Sequence, residues 1–130
     1  MYLVDTNVWL ERILDQAKSE EVGRFLDRTP AERVFITDFA LHSIGIILAK
    51  LNRDEAFLTF VKDVFLDGNV TLIRLDPDEM PEVVRAIEQF QLDFDDAYHY
   101  AVAEKYDLAI VSFDRDFERT RLGRKVPSEI

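Results

Sequence analysis

Four short apolar segments, each separated from the next by helical segments, constrain the fold of this chain more than any other feature. The apolar segments span residues 2–4, 34–36, 70–75 and 108–113, and their lengths are typical of buried strands. Between them, apolar residues recur with helical spacing, so the predicted order is β-α-α-β-α-α-β-α-α-β. Strands separated by helices favour a parallel sheet with helices on both faces. We therefore predict an α/β fold, a three-layer α/β/α sandwich around a central, mainly parallel sheet of four or five strands.

Polar residues mark the predicted helix starts. The candidates in chain order are Asn7, Ser19, Thr37 or Asp38, Asp54, Asp76 and Asp95. Ser, Thr, Asp and Asn side chains bind the free backbone N–H groups of a first helical turn, which explains why these residues predict helix starts.

Length and composition agree with one domain spanning residues 1–130. The chain has 130 residues, of which 48% are hydrophobic, and this is enough for an α/β core. The longest nearly apolar stretch, residues 44–49, is too short to cross a bilayer, and the N-terminus has no basic signal region. The absence of cysteine excludes disulfides and thiolate metal sites and fits a cytoplasmic protein with no membrane partner.

Aspartates follow the first and last predicted strands. Asp5 comes directly after the first strand, and Asp114 follows the fourth, with Asp116 two residues later. In open parallel sheets, ligands bind outside the carboxyl ends of the strands, so these side chains are expected at one edge. Asp96 stands near the start of the last helix, and a helix start at that edge would add a third carboxylate.

Such a group of carboxylates predicts a divalent metal site. Neighbouring carboxylates raise each other's pKa unless a cation joins them. Oxygen ligands suit Mg²⁺ or Mn²⁺ rather than zinc. A metal held in this way can activate water and stabilise charge on a phosphate, which is the chemistry of phosphodiester hydrolysis.

Together these motifs resemble the PIN-domain family, which includes the toxins of VapBC-type toxin–antitoxin pairs. The matching segments are residues 4–7, residues 96–97 and residues 110–117, so the resemblance covers nearly the whole chain. It implies a Mg²⁺- or Mn²⁺-dependent ribonuclease with Asp5, Asp96, Asp114 and Asp116 as catalytic residues. The first three of these would bind the metal. It also implies a small antitoxin protein as partner and a homodimer.

The chain departs from the family pattern at one acidic position. PIN domains usually carry a glutamate on the helix after the second strand, and that position falls on Ser43, next to His42. Three alternatives remain open. The site works with its aspartates and water, or Asp38 or His42 substitutes, or the chain is a catalytically impaired module that binds RNA or a protein partner.

Several candidates also have a purely structural interpretation. Asp5 can cap the first helix, and Thr6 and Asn7 either support the Asp5 carboxylate or cap locally. Ser112 is a further supporting candidate. Asp93 and Asp95 compete with Asp96 for its assignment.

The charge distribution gives a mixed prediction for RNA binding. The net charge is −10, from 26 acidic and 16 basic residues, which opposes contact with phosphates. A basic cluster follows the last aspartates, and Arg115, Arg119 and Arg121 are the candidates for contact with the RNA backbone.

A phosphatase or a receiver-like domain is a weaker alternative. The first strand ends in Asp5-Thr6-Asn7 rather than Asp-x-Asp, and no lysine follows the last strand at residues 113–114. The two histidines, His42 and His99, have no zinc-like spacing, and His99 is interpreted as a packing or surface residue.

Overall fold

The sheet has four parallel strands in the order β3-β2-β1-β4. The computed structural model describes residues 1–130. The strands are β1 (Tyr2–Val4), β2 (Val34–Thr37), β3 (Thr71–Ile73) and β4 (Ala109–Val111). A single bridge between Val111 and Lys125 extends the outer edge beyond β4. The predicted parallel sheet is confirmed, with four strands rather than five.

Six α-helices connect and cover the strands. They are α1 (Thr6–Ile13), α2 (Ser19–Arg28), α3 (Asp38–Lys50), α4 (Asp54–Val61), α5 (Met80–Phe90) and α6 (Phe94–Tyr106). The predicted order of elements is confirmed. The predicted helix from Asp54 changes at Lys62–Leu66 into a π-helical turn, and a 3-10 turn at Pro77–Glu79 precedes α5.

Alternating strand residues point into two separate cores, as the period of a strand requires. Leu3 of β1 and Ile110 of β4 pack on one face with α5 and α6. Val4 and Val111, one residue later in each strand, pack on the other face with residues of α1 to α4. This arrangement confirms the three-layer sandwich.

Three of the predicted boundaries were wrong, two because a side chain binds a backbone group and one because two backbone groups form a hydrogen bond. Asp5, not Asn7, caps α1 by accepting a hydrogen bond from the Thr6 N–H. Strand β3 ends at Ile73 rather than Leu75 because the Leu75 N–H donates to the Tyr98 hydroxyl at 2.9 Å. Strand β4 ends before Ser112, whose N–H donates to the Lys125 carbonyl at 3.0 Å.

Helix α6 is unusual because it is buried on every side over two turns. All eight residues from Asp96 to Ala103 are buried. Since Asp96 lies in the first turn, this burial carries a carboxylate into the protein beside the carboxyl ends of β1 and β4. None of the helices is both long enough and apolar enough to span a membrane.

Candidate metal centre

The register of the two central strands brings Asp5 next to Ser112. Val4 of β1 lies opposite Val111 of β4, and the Asp5 N–H donates to the Val111 carbonyl at 2.9 Å. The residues that follow these strands therefore meet at the carboxyl edge of the sheet. This is the edge at which the sequence predicted a site.

The Asp5 carboxylate is held by three donors. Its Oδ1 accepts from the Thr6 N–H at 2.7 Å. Its Oδ2 accepts from Ser112 Oγ at 2.7 Å and from Asn7 Nδ2 at 3.3 Å. The three residues proposed as supports for Asp5 thus contact it directly, although Thr6 does so through its backbone.

Ser112 and Asn7 also fix the loop that carries Asp114. Ser112 Oγ accepts from the Asp114 N–H at 2.9 Å and from Asn7 Nδ2 at 3.2 Å. Asn7 Oδ1 accepts from the Phe113 N–H at 3.2 Å. The network therefore couples the position of Asp5 to that of Asp114, which is 109 residues away in the 130-residue sequence.

Asp116 lies one turn beyond Asp114. Its N–H donates to Asp114 Oδ1 at 2.9 Å, and its own Oδ1 accepts from Arg119 Nη1 at 3.0 Å. Arg119 also donates to the carbonyls of Phe90 and Gln91 at the end of α5, at 3.1 and 2.8 Å. Arg119 therefore anchors this turn and is already engaged by protein groups.

Asp96 completes a cluster of three carboxylates. One oxygen each of Asp96, Asp114 and Asp116 lie within 4.8 Å of one another. Burial, together with the negative charges of Asp114, Asp95 and Asp5, raises the pKa of Asp96 to about 8. A cation would relieve both effects.

The carboxylates surround an open cavity of about 270 Å³. Its lining includes Asp5, Asp95, Asp96 and Asp114, together with Ser43. Asp116 is outside the lining, although one of its oxygens lies within 4.8 Å of oxygens of Asp96 and Asp114. The donor atoms are hard oxygens, and the cavity has room for water, so the residues present fit an ion of the Mg²⁺ or Mn²⁺ type.

Ser43, which stands at the glutamate position, and the two proposed substitutes, Asp38 and His42, lie in different places. Ser43 lines the cavity. His42, one residue earlier on α3, is exposed and is outside the lining. Asp38 accepts from the Tyr98 hydroxyl at 2.9 Å and from the Phe39 N–H at 2.8 Å, so its Oδ1 is engaged away from the cavity.

Two residues near the site were missed from the sequence. Asp95 was treated as a competitor of Asp96, yet it lines the same cavity. His99 was interpreted as a packing or surface residue, and it is 2% exposed with its Nδ1 3.9 Å from Asp5 Oδ1. Its position three residues after Asp96 on a helix was the one available signal, because such residues share a helix face.

His99 joins the start of α6 to the end of β2. Because a carbonyl only accepts, His99 Nδ1 donates to the Asp95 carbonyl at 2.8 Å. Its Nε2 then accepts from the Thr37 hydroxyl at 2.9 Å when the ring is neutral. These two bonds fix the first turn of α6, which carries Asp96.

Most arginines of the basic cluster are engaged in ion pairs. Arg119 pairs with Asp116 and Arg121 with Glu104, both at 3.0 Å, and Arg124 with Glu118 at 2.9 Å. Arg115 is exposed and forms no ion pair. Of the three arginines predicted to contact RNA, Arg115 is therefore the one that is unengaged.

Comparisons with known proteins identify the family and the fold of the chain. A family model described as PIN domain matches residues 2–122. The fold is similar to that of VapC20 from Mycobacterium tuberculosis, a toxin that cleaves the sarcin–ricin loop. The TM-score is 0.83 at 19% identity, and the match covers 98% of this chain and 100% of that chain.

Further solved structures have the same fold. A toxin–antitoxin complex from Klebsiella pneumoniae gives a TM-score of 0.77 at 17% identity, over 100% of both chains. FitAcB from Neisseria gonorrhoeae gives 0.78 at 18% identity, also over 100% of both. No curated protein sequence matches the chain.

Proposed function

The chain belongs to the PIN-domain family, and from that premise we propose that it is a metal-dependent endoribonuclease that hydrolyses phosphodiester bonds in RNA. The observation that carries the proposal is the convergence of Asp5, Asp96 and Asp114 around one open cavity at the carboxyl edge of the sheet. Carboxylates with a raised pKa cluster at functional sites, because catalysis and metal binding need groups that are held together in a partly buried cavity.

We assign the metal, Mg²⁺ or Mn²⁺, to Asp5, Asp96 and Asp114, with Asp116 beside them. When bound, such an ion activates water and stabilises negative charge on a phosphate. The chain's own residues hold this site in shape: Ser112 orients Asp5, and Arg119 restrains Asp116. Exposed Arg115 is the proposed contact for the RNA backbone.

A substitution at Ser43 distinguishes an active enzyme from a catalytically impaired one. A serine hydroxyl contributes no charge, so the charge supplied to a metal comes entirely from aspartates. Asp95, which also lines the cavity, adds a fourth carboxylate there. If the site is active as it stands, Ser43→Glu should not increase cleavage. A gain of cleavage in that variant would favour the alternative, an impaired PIN-like module that binds RNA or a protein.

We further propose that the protein, as one domain of residues 1–130, acts in the cytoplasm as the toxin of a toxin–antitoxin pair. Two of the similar structures are a toxin–antitoxin complex and a toxin that cleaves the sarcin–ricin loop. An apolar groove of about 400 Å³ lined by Trp9, Leu26 and Phe60 gives a small antitoxin a place to bind. Expression with and without a neighbouring small gene, scored by growth, tests this part of the proposal.

A homodimer is proposed from the apolar surface that remains uncovered. Large exposed apolar side chains on α3, α4 and the turn after it are Ile46, Leu51, Leu58 and Leu66. We propose that they form one patch, and an exposed apolar patch marks an interaction surface in many proteins. Light scattering should give twice the mass of the chain, and Leu58→Asp should reduce it to that of a monomer.

The central experiment is cleavage of a mixed RNA pool in Mn²⁺ and in Mg²⁺ by wild type and Asp114→Asn. We expect metal-dependent cleavage by wild type and a loss of at least about 100-fold in the variant. Asp27→Asn, an exposed position on α2, is the matched control and should cleave like wild type. Equal cleavage by wild type and Asp114→Asn would refute the assignment of the site.

A further inference from the structure

Three aromatic rings form a cluster next to the cavity. Phe39, on the first turn of α3, lines the cavity itself. Its ring centroid is 6.1 Å from that of Phe94 and 5.6 Å from that of Tyr98. Phe94 and Tyr98 stack on each other with centroids 6.4 Å apart and planes 29° apart. The rings thus connect the carboxylate cavity to the protein surface.

Tyr98 fixes this cluster from the inside. Its hydroxyl donates to Asp38 Oδ1 at 2.9 Å and accepts from the Leu75 N–H at 2.9 Å. The side chain is buried. A ring bonded through its hydroxyl to two different elements has little freedom, so the rings that pack on it are preorganised.

Phe94 is the exposed member of the cluster. It is the first residue of α6, two positions before Asp96, and 48% of it is accessible to solvent. Leaving half a phenylalanine in water forgoes part of the free energy that its burial would provide. The Phe94 ring is held in place by its neighbours and is exposed to solvent, and it lies beside the proposed phosphodiester site. These are the properties of a stacking surface for nucleobases.

The charge of the protein makes such a contact valuable. With a net charge of −10, the chain repels an RNA backbone, and Arg119, Arg121 and Arg124 are engaged in ion pairs. Stacking depends little on charge and contributes for every type of base. It therefore supplies affinity that this protein obtains poorly from cations.

We infer that Phe94, supported by Phe39 and Tyr98, stacks on an unpaired nucleobase next to the scissile phosphodiester. The inference rests on the proposed function and deepens it, because it assigns the residue that contacts a base of the substrate. A base can stack on Phe94 only when it is outside a duplex. Phe94 is thereby a substrate-binding residue, distinct from the carboxylates that surround the cavity.

The first test separates substrate binding from turnover. Phe94→Ala should raise KM for single-stranded RNA about ten-fold and leave kcat within about two-fold. Phe94→Leu keeps an apolar side chain against Phe39 without a ring and should behave in the same way, whereas Phe94→Tyr should retain the wild-type KM. Tyr106→Ala, which removes an exposed aromatic ring at the opposite end of α6, is the matched control and should leave KM unchanged.

The second test identifies the base. Once the cleaved bond is mapped, an abasic nucleotide is placed on either side of it. For one of the two positions, the abasic RNA should raise the wild-type KM about ten-fold and abolish the difference between wild type and Phe94→Leu. If KM for intact RNA is the same in wild type, Phe94→Ala and Phe94→Leu, the inference is wrong even though the nuclease assignment stands.

Binding distinguishes failure of the inference from failure of the proposed function. Fluorescence anisotropy with a labelled single-stranded RNA is measured for the Asp114→Asn protein with and without Phe94→Leu. If wild type cleaves nothing but Phe94→Leu weakens RNA binding about ten-fold, the stacking surface stands and the nuclease proposal falls. Equal binding by both proteins, or a change confined to the oligomeric mass, overturns the stacking surface.

Discussion

Asp5 and Asp96 line the same cavity and are equally buried, but their surroundings differ. Hydrogen-bond donors surround Asp5, whereas negative charges act on Asp96. Each is 6% exposed. Asp5 accepts hydrogen bonds from Thr6, Asn7 and Ser112. Around Asp96, burial and the charges of Asp114, Asp95 and Asp5 all act to raise its pKa, to about 8.

The difference indicates how each carboxylate is positioned before a metal binds. The three hydrogen-bond donors fix the orientation of the Asp5 carboxylate, so its geometry is preorganised. The charged groups that act on Asp96 are all acidic, and a buried charge without a partner is unfavourable. We therefore infer that Asp5 provides the fixed half of the site and that Asp96 is completed by the cation.

The largest expected effect is on catalysis, where both carboxylates are needed. Asp5→Asn and Asp96→Asn should each reduce Mn²⁺-dependent RNA cleavage by at least about 100-fold, because each removes charge that binds the metal. Single-turnover cleavage assays with saturating protein measure this. Wild-type rates in Asp96→Asn would remove Asp96 from the site.

Asp5→Asn and Asp96→Asn should change the free energy of unfolding in opposite directions. In metal-free protein at neutral pH, Asp5→Asn should lower the free energy of unfolding by about 2 kcal/mol, because it discharges the acceptor of three hydrogen bonds. Asp96→Asn should raise it by about 1 kcal/mol, because at neutral pH the Asp96 carboxyl must take up a proton on folding and asparagine does not. Urea unfolding followed by circular dichroism measures both. Changes of the same sign would contradict the comparison.

The pH dependence of stability should come largely from Asp96. Its pKa is about 8 in the folded protein and 3.8 as the reference value for aspartate. As pH rises, the unfolded chain therefore releases this proton first. The stability that Asp96 contributes is complete below about pH 4 and is lost as pH rises towards about 8.

For the metal-free protein, this loss should amount to about 2 kcal/mol, reduced from the full value by the water in the cavity that screens the charge. Unfolding free energies measured across this pH range should fall in wild type and in the control Asp27→Asn. They should stay nearly flat in Asp96→Asn. An equally steep fall in Asp96→Asn would assign the effect to other groups.

The smallest expected effect concerns the support of Asp5. Ser112→Ala removes a 2.7 Å hydrogen bond to Asp5 and leaves the Asp114 N–H without its acceptor. We expect a loss of about 1 kcal/mol in stability and a reduction of about ten-fold in cleavage. Ser128→Ala, on the exposed surface, should change neither quantity.

The sequence was a good guide to the half of the site that follows strands. Asp5 and Asp114 each stand directly after or near a short apolar run, and the parallel arrangement of β1 and β4 implied that they meet. Ser112 and Asn7 were candidates because short polar residues near strand ends commonly bind backbone and carboxylate groups. These inferences needed only local pattern and sheet topology.

The part of the site on α6 depends on long-range packing, which local sequence patterns do not predict. His99 contacts Thr37, which is 62 residues away, and Tyr98 contacts Asp38 and Leu75 through one hydroxyl. The same hydroxyl explains why β3 ends earlier than its apolar run predicts. The role of Asp95 was missed because the helix start decides which of three neighbouring aspartates faces the cavity, and helix starts are poorly defined by sequence.

Proton release on metal binding tests the central claim most directly. Calorimetric titration of metal-free protein with Mn²⁺ near neutral pH, in two buffers that differ in ionisation enthalpy, counts the protons released. We predict that wild type releases about one proton for each Mn²⁺ bound, and that Asp96→Asn binds more weakly and releases almost none. Binding of Mn²⁺ by wild type without proton release, or equal release by Asp96→Asn, would contradict the account.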